Sequence, residues 1–231
     1  GREREVNLLK EADVMIFDWD GVLFDSNKRI YRAIYRLIKL LGDPEKIRDL
    51  TEERVAETYD APPAEYIARF GITDFDAARA VYAKITEEVK RELPEEDVYP
   101  EVIAMLRDVR AQKPKMKFAI ISAGHADEIE LILARHGIRH YFETIVGGQY
   151  DKKSAVREVT EKCKSAPERT LYFGDLPADI NDTKGSGTGV KSVAVARTPH
   201  AEKRLVAYAP NFLVTGVSIF KLKKAKKYGT R

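Results

Sequence analysis

Val14-Met15-Ile16-Phe17-Asp18-Trp19-Asp20-Gly21-Val22-Leu23-Phe24-Asp25-Ser26 is the stretch that decides the fold. Four apolar residues run into an acid, a second acid follows two positions later, and a glycine stands directly behind it. The apolar run is too short for a helix and reads as a buried strand. In an extended chain residues 18 and 20 point to the same side, so two carboxylates share a strand end. Such a pair is costly unless a cation joins them or one is protonated. Gly21 lets the backbone turn sharply behind them.

Similar apolar runs recur at 117–122, 142–147, 170–174, 192–196 and 212–214. Helical patterns separate most of them. Segment 100–110 carries Val102, Ile103, Leu106 and Val109 on one face, with Pro100 at its start. Segment 127–136 has acids in its first turn and Gly137 just past its end, and 154–162 repeats the pattern with Val156 and Val159. Strands alternating with helices of this length predict βαβ units and a doubly wound parallel sheet. Such sheets place their ligands at the carboxyl ends of the strands.

Residues 26–93 break the rhythm. Ile30, Ile34, Leu37, Ile38 and Leu41 form a helical stripe ending at Gly42, and further helices are expected over 51–59, 64–70 and 75–93. Thr73-x-x-Asp76 has the spacing of a capping box for the last of these, and Pro62-Pro63 and Gly71 punctuate the segment. The domains expected are therefore an α/β core from 1–25 and 96–231, and an all-helical insertion over 26–95. The tyrosines of the insertion (Tyr31, Tyr35, Tyr59, Tyr66 and Tyr82) read as its core.

Composition sets outer bounds. A chain of 231 residues, 44% hydrophobic and 33% charged, is large enough to bury a real core as one large or two small domains. Its longest apolar stretches fall far short of the roughly 20 residues that span a bilayer, so no membrane partner is expected. The first 13 residues alternate charge and lack the apolar segment of a secretory leader. Cys163 is the one cysteine, which excludes an intrachain disulfide and a cysteine zinc site and fits a reducing cytoplasm. With 40 basic against 37 acidic residues, no nucleic-acid partner is implied. The lysines at 221, 223, 224, 226 and 227 read as a solvated terminal tail.

A second acidic strand end follows Leu171-Tyr172-Phe173-Gly174, where Asp175 is followed by Asp179. In a parallel sheet both strand ends lie on one edge, and four carboxylates there call for a hard divalent cation, most simply Mg²⁺. Ser122 ends the 117–122 run and supplies a hydroxyl beside a helix start, whose N–H groups suit phosphate. Lys152 and Lys153 precede another helix. Carboxylates, a metal, a hydroxyl, a lysine and a helix N-terminus together describe a phosphoryl-transfer site.

These residues carry a resemblance. Asp18-Trp19-Asp20-Gly21-Val22-Leu23-Phe24-Asp25-Ser26 resembles the first signature of the haloacid dehalogenase superfamily, in its phosphatase branch. Ile120-Ile121-Ser122 resembles the second motif, and Gly174-Asp175-Leu176-Pro177-Ala178-Asp179 the fourth. The third is a single lysine, for which Lys152 is preferred to Lys153 because Ala155, Val156 and Val159 then fall where the family's helix is apolar. Asp18 and Ser122 lie 104 positions apart, but Ser122 and Lys152 only 30. The extra material therefore follows the first motif. That resembles the helical cap of the phosphoglycolate phosphatase and β-phosphoglucomutase subfamily on its Rossmann-like core.

The resemblance implies a mechanism. Asp18 is the nucleophile and forms an aspartyl-phosphate, and Asp20 is the general acid and then the base. Mg²⁺ is held by Asp18, Asp175 and the backbone carbonyl of Asp20, with Asp179 a ligand or the support of one. Ser122 and Lys152 hold the phosphoryl oxygens, and Ala123 and Gly124 line the phosphate site. The partner implied is a small phosphorylated metabolite, phosphoglycolate or a sugar phosphate. A phosphomutase and a non-catalytic binding protein on the same fold stay open, as does the choice of monomer or homodimer. Three features depart from the family pattern: Trp19 between the aspartates, Ala123-Gly124-His125 after Ser122, and Pro177 inside the fourth motif. Asp182 reads as a surface acid, and His125 as either a substrate contact or an ordinary helix-start residue. His136 and His140 have zinc-pair spacing, but Gly137 should end the helix between them.

Overall fold

The computed structural model describes residues 4–59 and 63–229. In chain order they form β1 (Arg4–Val6), α1 (Leu8–Glu11), β2 (Val14–Phe17), α2 (Asn27–Leu41), α3 (Glu52–Thr58), α4 (Pro63–Ala68), α5 (Phe75–Glu92), α6 (Pro100–Gln112), β3 (Lys117–Ile121) and α7 (Ala126–Arg135). There follow β4 (Phe142–Val146), α8 (Lys153–Lys162), β5 (Thr170–Gly174), α9 (Pro177–Gly185), β6 (Lys191–Val195), α10 (Pro199–Val206), β7 (Phe212–Val214), α11 (Ile219–Lys223) and β8 (Ala225–Lys227). Packing divides the chain into two compact units, Gly1–Phe24 with Val98–Arg231, and Asp25–Asp97.

The first unit is built on one sheet with strand order β1-β8-β7-β6-β5-β2-β3-β4. From β7 to β4 every neighbouring pair is parallel. Side-chain alternation sends Met15 and Phe17 to one face with Phe118, Ile120, Leu171 and Phe173. Val14 and Ile16 go to the other, with Ala119, Ile121 and Tyr172, under Ala155, Val156 and Val159 of α8. Cys163 is buried in that second cluster. Covering both faces is what makes these strands read as unbroken apolar runs. Phe17 is level with Ile120 on one side and Phe173 on the other. Asp18, Ser122 and Asp175 therefore each stand one or two residues beyond a common line, at the carboxyl edge.

The C-terminal lysine segment corrects an expectation. It is not a solvated tail: β8 pairs antiparallel with β7 and with β1, Val6 opposite Ala225 and Leu213 opposite Lys226. Leu222 and Ala225 are fully buried, and Lys226 pairs with Glu202 at 2.7 Å. Two small apolar anchors between lysines suffice, because the ladder satisfies the backbone and lysine stems lie along apolar surface. In the sequence the charges mask them. Truncation after Lys224 removes a sheet strand together with the partner of β1. Thermal unfolding is expected to show a loss of about 1–3 kcal/mol, the worth of a handful of cross-strand pairs; an unchanged midpoint would mean that β8 contributes nothing.

The second unit is helical. Ala33, Ile34, Leu37 and Ile38 of α2 pack with Val55, Tyr66, Ile85 and Val89 from α3, α4 and α5. Tyr66 is fully buried, edge-on to Tyr59 and Phe70, and Tyr31 and Tyr82 flank the same cluster. Tyr35 meets Tyr31 edge-on. The cap of α5 is Asp74 rather than Thr73. The Asp74 carboxylate accepts the Ala77 N–H at 3.1 Å from an extended backbone. Asp caps at least as well as Thr, so a one-residue shift was open to the chain, and no glutamate or aspartate then stands three residues on to close a box. Pro62 lies outside the described residues. No described helix is long and apolar enough to cross a membrane.

Candidate active site

Asp18 continues directly from β2. Its N–H donates to the Phe173 carbonyl at 2.9 Å, and its Oδ1 accepts the Trp19 N–H at 2.7 Å. Trp19 itself is buried and stacked on Phe24, so this departure from the family pattern is a packing residue. Asp175 follows β5, and Asp179 sits in the first turn of α9, which Pro177 opens as its first residue. Pro177 starts a helix because its missing N–H is one that a first turn leaves unbonded anyway. Carboxylate oxygens of Asp18, Asp175 and Asp179 all lie within 4.8 Å of one another. The Asp20 carboxylate is not part of that group; Asp20 is half-buried on the turn behind it.

Lys152 is buried at the start of α8, and its ammonium pairs with Asp18 Oδ1 at 3.0 Å and Asp179 Oδ1 at 3.1 Å. Its N–H donates to Asp182 Oδ2 at 3.1 Å, so the acid read as a surface residue instead holds the lysine's backbone. Lys153 points elsewhere: it is about half exposed and lies 3.8 Å from Asp151. Asp179 serves twice, since its Oδ2 also accepts the Leu176 N–H at 3.1 Å and so caps the start of α9. Tyr172 brings a hydroxyl under the same cluster; it is buried without a hydrogen-bond partner among the described residues, with the Lys152 ammonium 5.9 Å from the ring centre. A polar aromatic inside an otherwise apolar strand was the sequence signal for it.

The electrostatics follow from burial. Desolvation pushes the Asp18 carboxyl up to about 7; the Lys152 ammonium opposes this, and the Asp179 and Asp20 carboxylates add to it. Burial, then the charges of Asp18 and Asp179, hold Asp175 well above the usual carboxylate range. Burial works against the charge on Lys152, yet Asp179 and Asp18 keep its ammonium far more basic than an ordinary lysine. One ammonium cannot match three clustered carboxylates, two of them buried and the third half-buried. Asp175 Oδ1 is also buried without a hydrogen-bond partner among the described residues. A divalent cation with oxygen ligands fits both the unmatched charge and the orphaned oxygen.

Two glycines make this crowding possible. A Cβ on Gly21, whose φ is +78°, would fall on Asp175 Oδ2, and one on Gly174 would fall on Asp179 Cβ. Gly21→Ala is therefore expected to lose about 1–2 kcal/mol from the left-handed backbone alone, and more from displacing Asp175. Thermal unfolding and metal-dependent turnover should both fall; wild-type values for both would show that the turn relaxes freely.

Ser122 is fully buried one residue past β3. Its Oγ accepts the Gly124 N–H at 3.0 Å, and its carbonyl accepts the Gln149 N–H at 2.9 Å. It does not cap α7; His125 stands at that position, exposed and making no side-chain cap. Ala123 is exposed and Gly124 half-buried, with the Gly124 carbonyl tied to Gly148 N–H at 2.9 Å. α7 ends at Arg135, so His136 and His140 are not on one helix face.

The haloacid dehalogenase-like hydrolase family model matches residues 15–195. The phosphoglycolate phosphatase of Synechococcus elongatus is 25% identical over 203 residues, covering 87% of this chain and 91% of that protein. A Bacillus velezensis pyrophosphatase is 24% identical over 214 residues, covering 90% and 94%. Among solved structures, a haloacid dehalogenase-like family hydrolase from Streptococcus pneumoniae superposes with a TM-score of 0.70 at 18% identity, covering 88% of this chain and 94% of that one. The family match runs from the middle of β2 to the end of β6, through every strand that carries a site aspartate, and on that match the chain belongs to the haloacid dehalogenase-like hydrolases.

Proposed function

We propose that the protein is a phosphatase that hydrolyses a small phosphate monoester with Mg²⁺ through an aspartyl-phosphate on Asp18. The observation that supports this reading is the convergence of the Asp18, Asp175 and Asp179 carboxylates with the Lys152 ammonium at one sheet edge. Asp18 Oδ attacks phosphorus as the bond to the ester oxygen breaks, and Asp20 gives its proton to the departing alkoxide. Asp20, now a carboxylate, takes a proton from a water that attacks the phosphorus. The acyl-phosphate bond then breaks, releasing phosphate and restoring Asp18. Lys152 and Ser122 hold the phosphoryl oxygens, Lys152 also fixing Asp18, and the Ala123 and Gly124 backbone continues that lining. Asp18, Asp175 and the Asp20 carbonyl would hold Mg²⁺, with Asp179 directly or through Lys152 shaping the site. The ion would offset repulsion between the nucleophile and the anionic ester. All these residues belong to the α/β unit.

The test is phosphate release from a panel of small esters with Mg²⁺ and with excess EDTA. Phosphoglycolate comes first and pyrophosphate second, following the names of the relatives. Release that EDTA abolishes is the expected result; release indifferent to EDTA would sink the metal role. Asp175→Ala is expected to raise the Mg²⁺ needed for half-maximal rate by about tenfold or more. An unchanged metal dependence would remove Asp175 from the site.

A further inference from the structure

The turn behind Asp18 is closed by its own backbone. The Trp19 carbonyl accepts three N–H groups, from Val22 at 3.3 Å, Leu23 at 3.0 Å and Phe24 at 2.9 Å. The Gly21 N–H donates to the Phe24 carbonyl at 2.9 Å, and the Leu23 carbonyl accepts the Tyr99 N–H at 2.9 Å. The carbonyls of Gly21 and Val22 find their partner far along the chain. Arg197, two residues past β6, donates from Nε to Gly21 at 3.3 Å and from Nη2 to Val22 at 2.9 Å. Its Nη1 pairs with Glu101 Oε1 at 3.1 Å, and its guanidinium lies 3.3 Å over the ring centre of Tyr99.

We propose that Arg197 is a positioning residue for the general acid–base Asp20, acting through the backbone of the turn that carries it. The inference rests on the assignment of Asp20 given above. The guanidinium is held by a ring beneath it, a carboxylate on one side and two carbonyls on another. A planar, forked donor can make these contacts together, whereas a lysine ammonium cannot. Gly21 is thereby gripped from two sides, by the Asp175 carboxylate against its Cα and by Arg197 on its carbonyl. The peptide that orients Asp20 adjoins that residue. Proton transfer tolerates little misplacement, and a shift of about 1 Å can cost on the order of 100-fold. Val22, Leu23 and Phe24 of the turn are buried, and Arg197 bonds to the turn at two of its carbonyls. What Arg197 adds is therefore a fixed geometry at Asp20.

The experiment compares kcat/KM on two esters. 4-Nitrophenyl phosphate has a leaving group that departs without a proton, and the alkyl phosphate that the unmodified protein hydrolyses fastest has one that does not. Asp20→Asn calibrates the difference. Arg197→Gln is expected to lose about tenfold or more on the alkyl ester beyond any loss on the aryl ester, a part of what general acid catalysis supplies. Arg197→Lys should recover some of it. Arg197→Gln added to Asp20→Asn should cost nothing further on the alkyl ester, because the acid it positions is gone. Melting curves establish that each variant is folded; should Arg197→Gln fail to fold, Arg197→Lys and Glu101→Gln carry the comparison. Equal losses on both esters, or full additivity with Asp20→Asn, would mean that Arg197 only supports the fold, and the proposal falls. If Asp20→Asn itself treats the two esters alike, the acid role of Asp20 fails and the proposal fails with it, an outcome distinct from the first.

Discussion

Asp18→Asn is expected to abolish phosphate release, by on the order of 10⁴-fold or more, while leaving the protein folded. An amide cannot form the acyl-phosphate, and removing a nucleophile from a unit that works together erases most of what the unit achieves. Folding should survive because the amide oxygen can still accept the Trp19 N–H and meet Lys152. The substitution also removes a charge from a site where burial already pushes the carboxyl up to about 7. The melting temperature in EDTA is therefore expected to be no lower than that of the unmodified protein. Phosphate release and a thermal melt on the same preparation decide the matter. Turnover retained in a folded variant would end the role of Asp18 as nucleophile.

Lys152→Met should produce the largest loss of stability. The ammonium is buried between Asp18 and Asp179, and its removal leaves their charges uncompensated, at a cost of about 3–5 kcal/mol. Turnover should disappear with it, since phosphoryl oxygens lose their cationic partner. Lys153→Met is the matched control. Lys153 is about half exposed and only loosely paired with Asp151, so its loss should stay within about 0.5 kcal/mol. Denaturant unfolding of the two variants side by side makes the comparison. Equal effects at the two positions would mean that burial does not distinguish these lysines.

Much of the architecture was legible because it is written locally. Runs such as 170–174 alternate with amphipathic helices, and both periods follow from backbone geometry alone. The acids at 18, 20, 175 and 179 could be placed on one edge because parallel strands end together. β1 and β8 were not legible: each is three residues long and mostly charged, and β1 is a strand only because β8 supplies its ladder, as β1 and β7 do for β8. The cap at Asp74 rather than Thr73 turned on a one-residue register that propensity does not resolve.

The sequence by itself determined the α/β class, the helical segment after the first strand, and which residue types could meet at the sheet edge. Those follow from order and spacing along the chain. Only the tertiary structure decided which of two adjacent lysines enters the carboxylate cluster, that Asp179 pairs with it, that Asp182 holds that lysine's backbone, and that Arg197 closes the turn behind Asp18. The reason is the same in each case. These contacts join residues from 27 to 176 positions apart, and their partners are chosen by desolvation and by the unsatisfied groups of distant loops, neither of which leaves a local pattern.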